Sequence, residues 1–152
     1  MVQKLPFGPL VNSTLMNSGM HGKYILYADD DADDQDMIRE LLLQIFPEVQ
    51  LVVKDNGEDL LRFVSELQDE ANMPALIILD LNMPGFDGIQ TLSLIKQSER
   101  HKHLPVLIFS TAVNEVDKNR AFSAGAIAFV GKPSSYAELR TIIESFSTYL
   151  KP

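Results

Sequence analysis

Five short apolar runs alternate with amphipathic runs along this chain, and that alternation constrains the fold more than any other feature. The apolar runs fall at 24–28, 49–53, 75–79, 106–109 and 127–130. Each has strand length, and the run at 75–79 is apolar at every position, as suits a strand covered on both faces. Between them lie segments with helical spacing: Met37, Ile38, Leu41, Leu42, Ile45 and Phe46; then Leu60, Phe63, Val64 and Leu67; then Ile89, Leu92 and Ile95. A polar, weakly amphipathic helix follows at 115–124, with Gly125 as its cap. The last helix shows Leu139, Ile142, Ile143, Phe146 and Leu150 on one face, opened by Ser135 and Glu138 as a capping box. Pro47 ends the first helix, Asn56-Gly57 is a turn, and 68–73 reads as a polar loop. Strict alternation of strand and helix demands right-handed crossovers, hence a parallel sheet with helices on both faces.

Composition narrows the function. The chain has 152 residues, 45% of them hydrophobic, enough for one domain with a full core. Asp and Glu outnumber Lys and Arg by 21 to 13, a net charge of −8, which argues against direct nucleic-acid or anionic-membrane binding. With no cysteine, disulfides, thiolate metal centres and cysteine nucleophiles are excluded. No apolar run reaches the roughly 18–20 residues of a membrane span. Residues 1–22, broken by Pro6, Gly8, Pro9, Asn12 and Asn17, read as a flexible leader rather than an export signal, with Met16 and Met20 as alternative starts.

In an open α/β sheet, ligands sit beyond the carboxyl ends of the strands. Here those ends carry Asp29-Asp30-Asp31, Asp80, Ser110-Thr111 and Gly131-Lys132-Pro133. If the first, third, fourth and fifth strands are neighbours, these groups share one pocket. Clustered carboxylates repel one another and call for a divalent cation; oxygen-only donors favour magnesium, manganese or calcium. With Lys132 as a point charge and Ser110 as a hydroxyl, these are the parts of phosphoryl transfer, and a carboxylate can serve as the nucleophile. Asp31 reads as a helix cap, and Asp33, Asp34 and Asp36 as acids favoured by the helix dipole. His101 and His103 read as residues of a solvated loop.

The segments 25–31 (ILYADDD), 76–88 (LIILDLNMPGFDG), 104–110 (LPVLIFS) and 124–133 (AGAIAFVGKP) together resemble the receiver domain of two-component response regulators, over about 24–150. The resemblance is to a CheY-like, stand-alone receiver. It implies a three-layer, doubly wound flavodoxin-like fold, five parallel strands in the order 2-1-3-4-5. It implies a receiver domain at 23–152 with nothing after it to act as an output domain. Position by position, it implies that Asp29, Asp30, Asp80 and the backbone carbonyl of Asn82 hold Mg2+, which Mn2+ or Ca2+ can replace. Asp80 is then the phosphoacceptor, Ser110 the switch hydroxyl, Lys132 the phosphate contact and Phe129 the switch aromatic, with a cis Lys132–Pro133 bond.

By the same resemblance, the donor is a sensor histidine kinase or histidine phosphotransfer protein, the output an unnamed protein partner, and the location a bacterial cytoplasm. The chain is then a signalling phosphoacceptor, not an enzyme acting on a separate substrate, and a homodimer is left open. Ala112, two residues past Ser110, supplies no group to orient a hydrolytic water. A haloacid-dehalogenase-like phosphohydrolase is disfavoured because Asn82 stands where the general acid is needed. A phosphorylation-independent docking module is disfavoured by the complete acid set, and flavin binding by the acids after the first strand.

Overall fold

The structure is a computed structural model that describes residues 23–150. The leader expected at 1–22, with its candidate starts Met16 and Met20, lies outside the described residues, as do Lys151 and Pro152. Five strands, β1 (Tyr24–Ala28), β2 (Gln50–Lys54), β3 (Leu76–Asp80), β4 (Val106–Ser110) and β5 (Ala128–Gly131), form one parallel sheet in the order β2-β1-β3-β4-β5. The helices are α1 (Ala32–Ile45), α2 (Gly57–Ser65), α3 (Gly88–Lys96), α4 (Glu115–Ser123), α5 (Tyr136–Glu144) and a short α6 (Ser147–Leu150).

Alternate residues of each strand serve opposite faces, and two cores result. Leu26, Ile77, Leu79, Val106 and Ile108 pack under α2, α3 and α4. Ile25, Tyr27, Ile78, Leu107 and Phe109 pack under α1 and α5. β1 and β3 are adjacent while the chain runs from β1 outward to β2 and back. That reversal opens a crevice at their carboxyl ends, where Asp29 and Asp80 stand.

Local chemistry sets the helix starts. Asp31 caps α1, accepting from the backbone N–H of Asp33 and Asp34, as expected. Asp87 and Gln90 form a reciprocal capping box on α3 that the sequence reading passed over. At α5 only half of the expected box is made, with Ser135 Oγ accepting from Glu138 N–H. The polar connection before β3 contains a single turn of 3-10 helix, Glu70–Asn72. The last helical stretch breaks at Ser145, whose N–H closes α5, so its apolar face is split between α5 and α6. Gly125 lies at φ +108°, a left-handed conformation suited to ending α4.

Three expectations are corrected. Among the described residues every peptide bond is trans, Lys132–Pro133 included; an X–Pro bond prefers trans by only about 0.5–1 kcal/mol, so sequence alone decides neither form. His101 is buried, because both ring nitrogens find partners within the fold: Nε2 lies 2.8 Å from the Leu67 carbonyl and Nδ1 2.8 Å from Ser98 Oγ. Met37, expected on the apolar face of α1, is 44% exposed.

Candidate functional site

Asp29 follows β1 and is fully buried, its charge satisfied from three sides. Oδ2 accepts the Tyr27 hydroxyl at 2.6 Å and the Lys132 ammonium at 2.9 Å; Oδ1 accepts the Asp31 backbone N–H at 2.9 Å. Burial and the Asp29 carboxylate push the Tyr27 phenol far above its usual range, so it remains a proton donor. Asp80 ends β3 and is 5% exposed. One carboxylate oxygen each from Asp29, Asp30 and Asp80 lies within 4.8 Å of the others. Burial, with the charge of Asp29 and against the pull of Lys132, pushes the Asp80 carboxyl up to about 6.

Lys132 reaches into this group from the end of β5. Its Nζ lies 2.7 Å from Asp34, 2.9 Å from Asp29 and 3.1 Å from Asp80. Burial alone pulls Lys132 down; hydrogen bonds to Asp34 and Asp29 outweigh it and hold the ammonium charged. Asp34 is the residue that sequence reasoning missed. In the sequence the helix dipole alone accounts for it, yet α1 packs where its second acid faces Lys132. The signal available is weak: a fifth acid of the run, one helical turn past the Asp29-Asp30 pair.

Ser110 pairs with Gly131 across the β4–β5 ladder, which sets it beside Lys132. Its hydroxyl is buried, donates to the Ala112 carbonyl at 2.7 Å and accepts from the Ala112 N–H at 3.2 Å. The single hydroxyl proton is thus committed to its own loop. Asn82 is exposed, two residues past Asp80, and Phe129 is partly buried against the core beneath α2–α4. Gly88 closes the back of the site: a Cβ there would stand 2.6 Å from the Asp80 backbone oxygen. Among the described residues no helix is long and apolar enough to cross a membrane.

A crevice holding three carboxylates, an ammonium and a hydroxyl has oxygen donors for a hard divalent cation and positive charge for an anion beside it. The donor chemistry fits: the oxygens converge, and Asp29 and Asp30 both raise the Asp80 carboxyl, a repulsion that a cation relieves.

Known proteins share this fold. The chain is 35% identical over 78 residues to the probable methanogenesis regulatory protein FilR2 of Methanothrix harundinacea, 51% of this chain and 50% of FilR2. It therefore spans about half the length of that relative. It is 26% identical over 129 residues to response regulator Rcp1 of Synechocystis, 84% of this chain and 88% of Rcp1. The crystal structure of Mn(2+)-bound Rcp1 superposes with a TM-score of 0.74 at 27% identity, covering 85% of this chain and 95% of that one. The phosphorylated cyanobacterial phytochrome response regulator RcpA superposes at 0.75 and 27% identity, over 85% of this chain and 94% of that one. The family model of the response regulator receiver domain matches residues 25–144, so the chain belongs to the receiver-domain family of two-component signalling.

Proposed function

We propose that this receiver takes a phosphoryl group onto Asp80 from a phosphohistidine on a sensor kinase or phosphotransfer protein, in a Mg2+-dependent reaction, and signals by changing its partner-binding surface. The observation that carries the reading is the placement of the Lys132 ammonium against Asp29, Asp34 and Asp80 over converging carboxylate oxygens. Asp29, Asp30, Asp80 and the Asn82 backbone carbonyl would hold the metal, which supplies charge neutralisation for the phosphoryl oxygens. The Mn2+ in Rcp1 and the phosphorylated state of RcpA support both parts.

Asp80 provides the nucleophile. Its carboxyl, at about 6, is mostly ionised at neutral pH. A carboxylate oxygen bonds to phosphorus as the phosphorus–nitrogen bond of the donor breaks, and the departing imidazole takes a proton from water. Lys132 neutralises a phosphoryl oxygen. Ser110 gives its proton to another, leaving the Ala112 carbonyl. Breaking that bond frees the loop after β4, and the new contacts supply the energy of the change. Phe129, opposite Ile108 on the β4–β5 ladder and partly buried, would repack when the loop moves.

The experiment is intact mass after incubation with acetyl phosphate, with and without Mg2+. Wild type should gain one phosphoryl group only with metal, and Asp80→Asn should gain none. Equal gain in Asp80→Asn, or gain without metal, would count against the assignment.

A further inference from the structure

We infer that Asp34 competes with the phosphoryl group for Lys132, weakening the site's hold on that group while strengthening its hold on a divalent cation. The inference rests on the receiver reading above. An ammonium has three N–H donors. Those of Lys132 face three oxygens, and the shortest contact, 2.7 Å, is to Asp34 rather than to the strand-end acids Asp29 and Asp80. Lys132 is 11% exposed and Asp34 37%, so Asp34 lies at the rim, beside a cleft bordered by Met37, Ile38, Pro133 and Leu139.

Two consequences of opposite sign follow. A cation on Asp29 and Asp80 would share those carboxylates with the Lys132 ammonium, a like charge. Asp34 gives that ammonium another anchor, so it helps the cation. A phosphoryl group on Asp80 replaces one negative charge by nearly two and needs the same ammonium. Asp34 both retains the ammonium and repels the new oxygens, so it opposes the phosphoryl group. A purely structural acid would shift both affinities the same way or neither.

The test uses the full chain. Mg2+ is titrated alone, and beryllofluoride, a phosphoryl mimic that coordinates a carboxylate oxygen, is titrated at saturating Mg2+. Asp34→Asn should weaken Mg2+ binding and tighten beryllofluoride binding, each by roughly threefold or more. Asp34→Ala should give the same signs. Asp33→Asn, an exposed acid one residue earlier, measures the general field and should move both far less. Thermal melts verify folding of every variant. Beryllofluoride affinity unchanged or weakened in both Asp34 variants overturns the inference, as does an Asp33→Asn effect equal to that of Asp34→Asn. Wild type that binds neither probe overturns the receiver reading itself, and this inference with it.

Discussion

The phenol of Tyr27, near the end of β1, donates to Oδ2 of Asp29, two residues further along the chain, across 2.6 Å. A buried carboxylate proposed as a metal ligand is thereby fixed by a donor that stays protonated. Partners of this kind orient a ligand, and their loss typically costs 10–100-fold in metal affinity. Tyr27→Phe should therefore weaken Mg2+ binding by about tenfold while the fold survives. Calorimetric titration checks it; unchanged affinity would mean that Lys132 and the Asp31 N–H suffice to hold Asp29.

Asp80→Asn should make the metal-free protein more stable at neutral pH, even though it removes the proposed acceptor. The Asp80 carboxyl lies at about 6 in the fold against an ordinary value of 3.8, raised first by burial and then by Asp29. Below about pH 4 it is protonated in both folded and unfolded chains and costs nothing. Between about 4 and 6 the unfolded chain ionises first, and the fold loses stability as pH rises. Above 6 the full cost remains, on the order of 1–3 kcal/mol. Urea unfolding in chelator should show Asp80→Asn ahead by that amount at pH 7.5, with the gap closing toward pH 4. A gap that widens on acidification would reverse the sign argued here.

Much of this was legible in the sequence because it depends on local pattern. The apolar alternation dictates β1–β5, and the acids ending β1 and β3 meet because parallel strands aim their carboxyl ends at one edge. Strand bounds slipped by a residue: β5 runs Ala128–Gly131, leaving Ile127 at the surface, since a parallel ladder rather than hydrophobicity fixes its register. What was illegible are contacts that tertiary packing chooses. Asp34 and Lys132 are 98 residues apart, and nothing in a run of acids at a helix start says which one turns inward. His101 sits in a polar stretch, and its partner Leu67 lies 34 residues away. The Lys132–Pro133 geometry was carried over from the family and is trans here, a choice between states of nearly equal energy.

Gly88→Ala should damage the site from behind. The methyl group would stand 2.6 Å from the Asp80 backbone oxygen and 3.0 Å from Leu81 Cα, both backbone atoms that cannot step aside. The Gly88 N–H also donates to the Leu81 carbonyl at 2.8 Å, tying the start of α3 to the end of β3. Overpacking of this sort costs about 1–3 kcal/mol, more than alanine gains in helix propensity. Both the melting temperature and the phosphoryl uptake of Asp80 should fall. A stable variant with normal uptake would show that α3 can slide away from β3 freely.

His101→Ala should separate stability from phosphoryl chemistry. The Leu67 carbonyl can only accept, so Nε2 carries the proton and donates to it, and Nδ1 accepts from the Ser98 hydroxyl. The ring thereby pins the loop before β4 to the end of α2, at the edge of the sheet opposite the carboxylates. Replacing it leaves a buried carbonyl without that donor and opens a cavity, a loss of about 2–4 kcal/mol. Asp80 lies at the far ends of the strands, and its carboxylate and Lys132 keep their contacts. At a temperature where the variant is folded, the extent of phosphorylation by acetyl phosphate should match wild type while the urea midpoint drops. Loss of phosphoryl uptake in folded protein would instead reveal coupling between the two edges of the sheet.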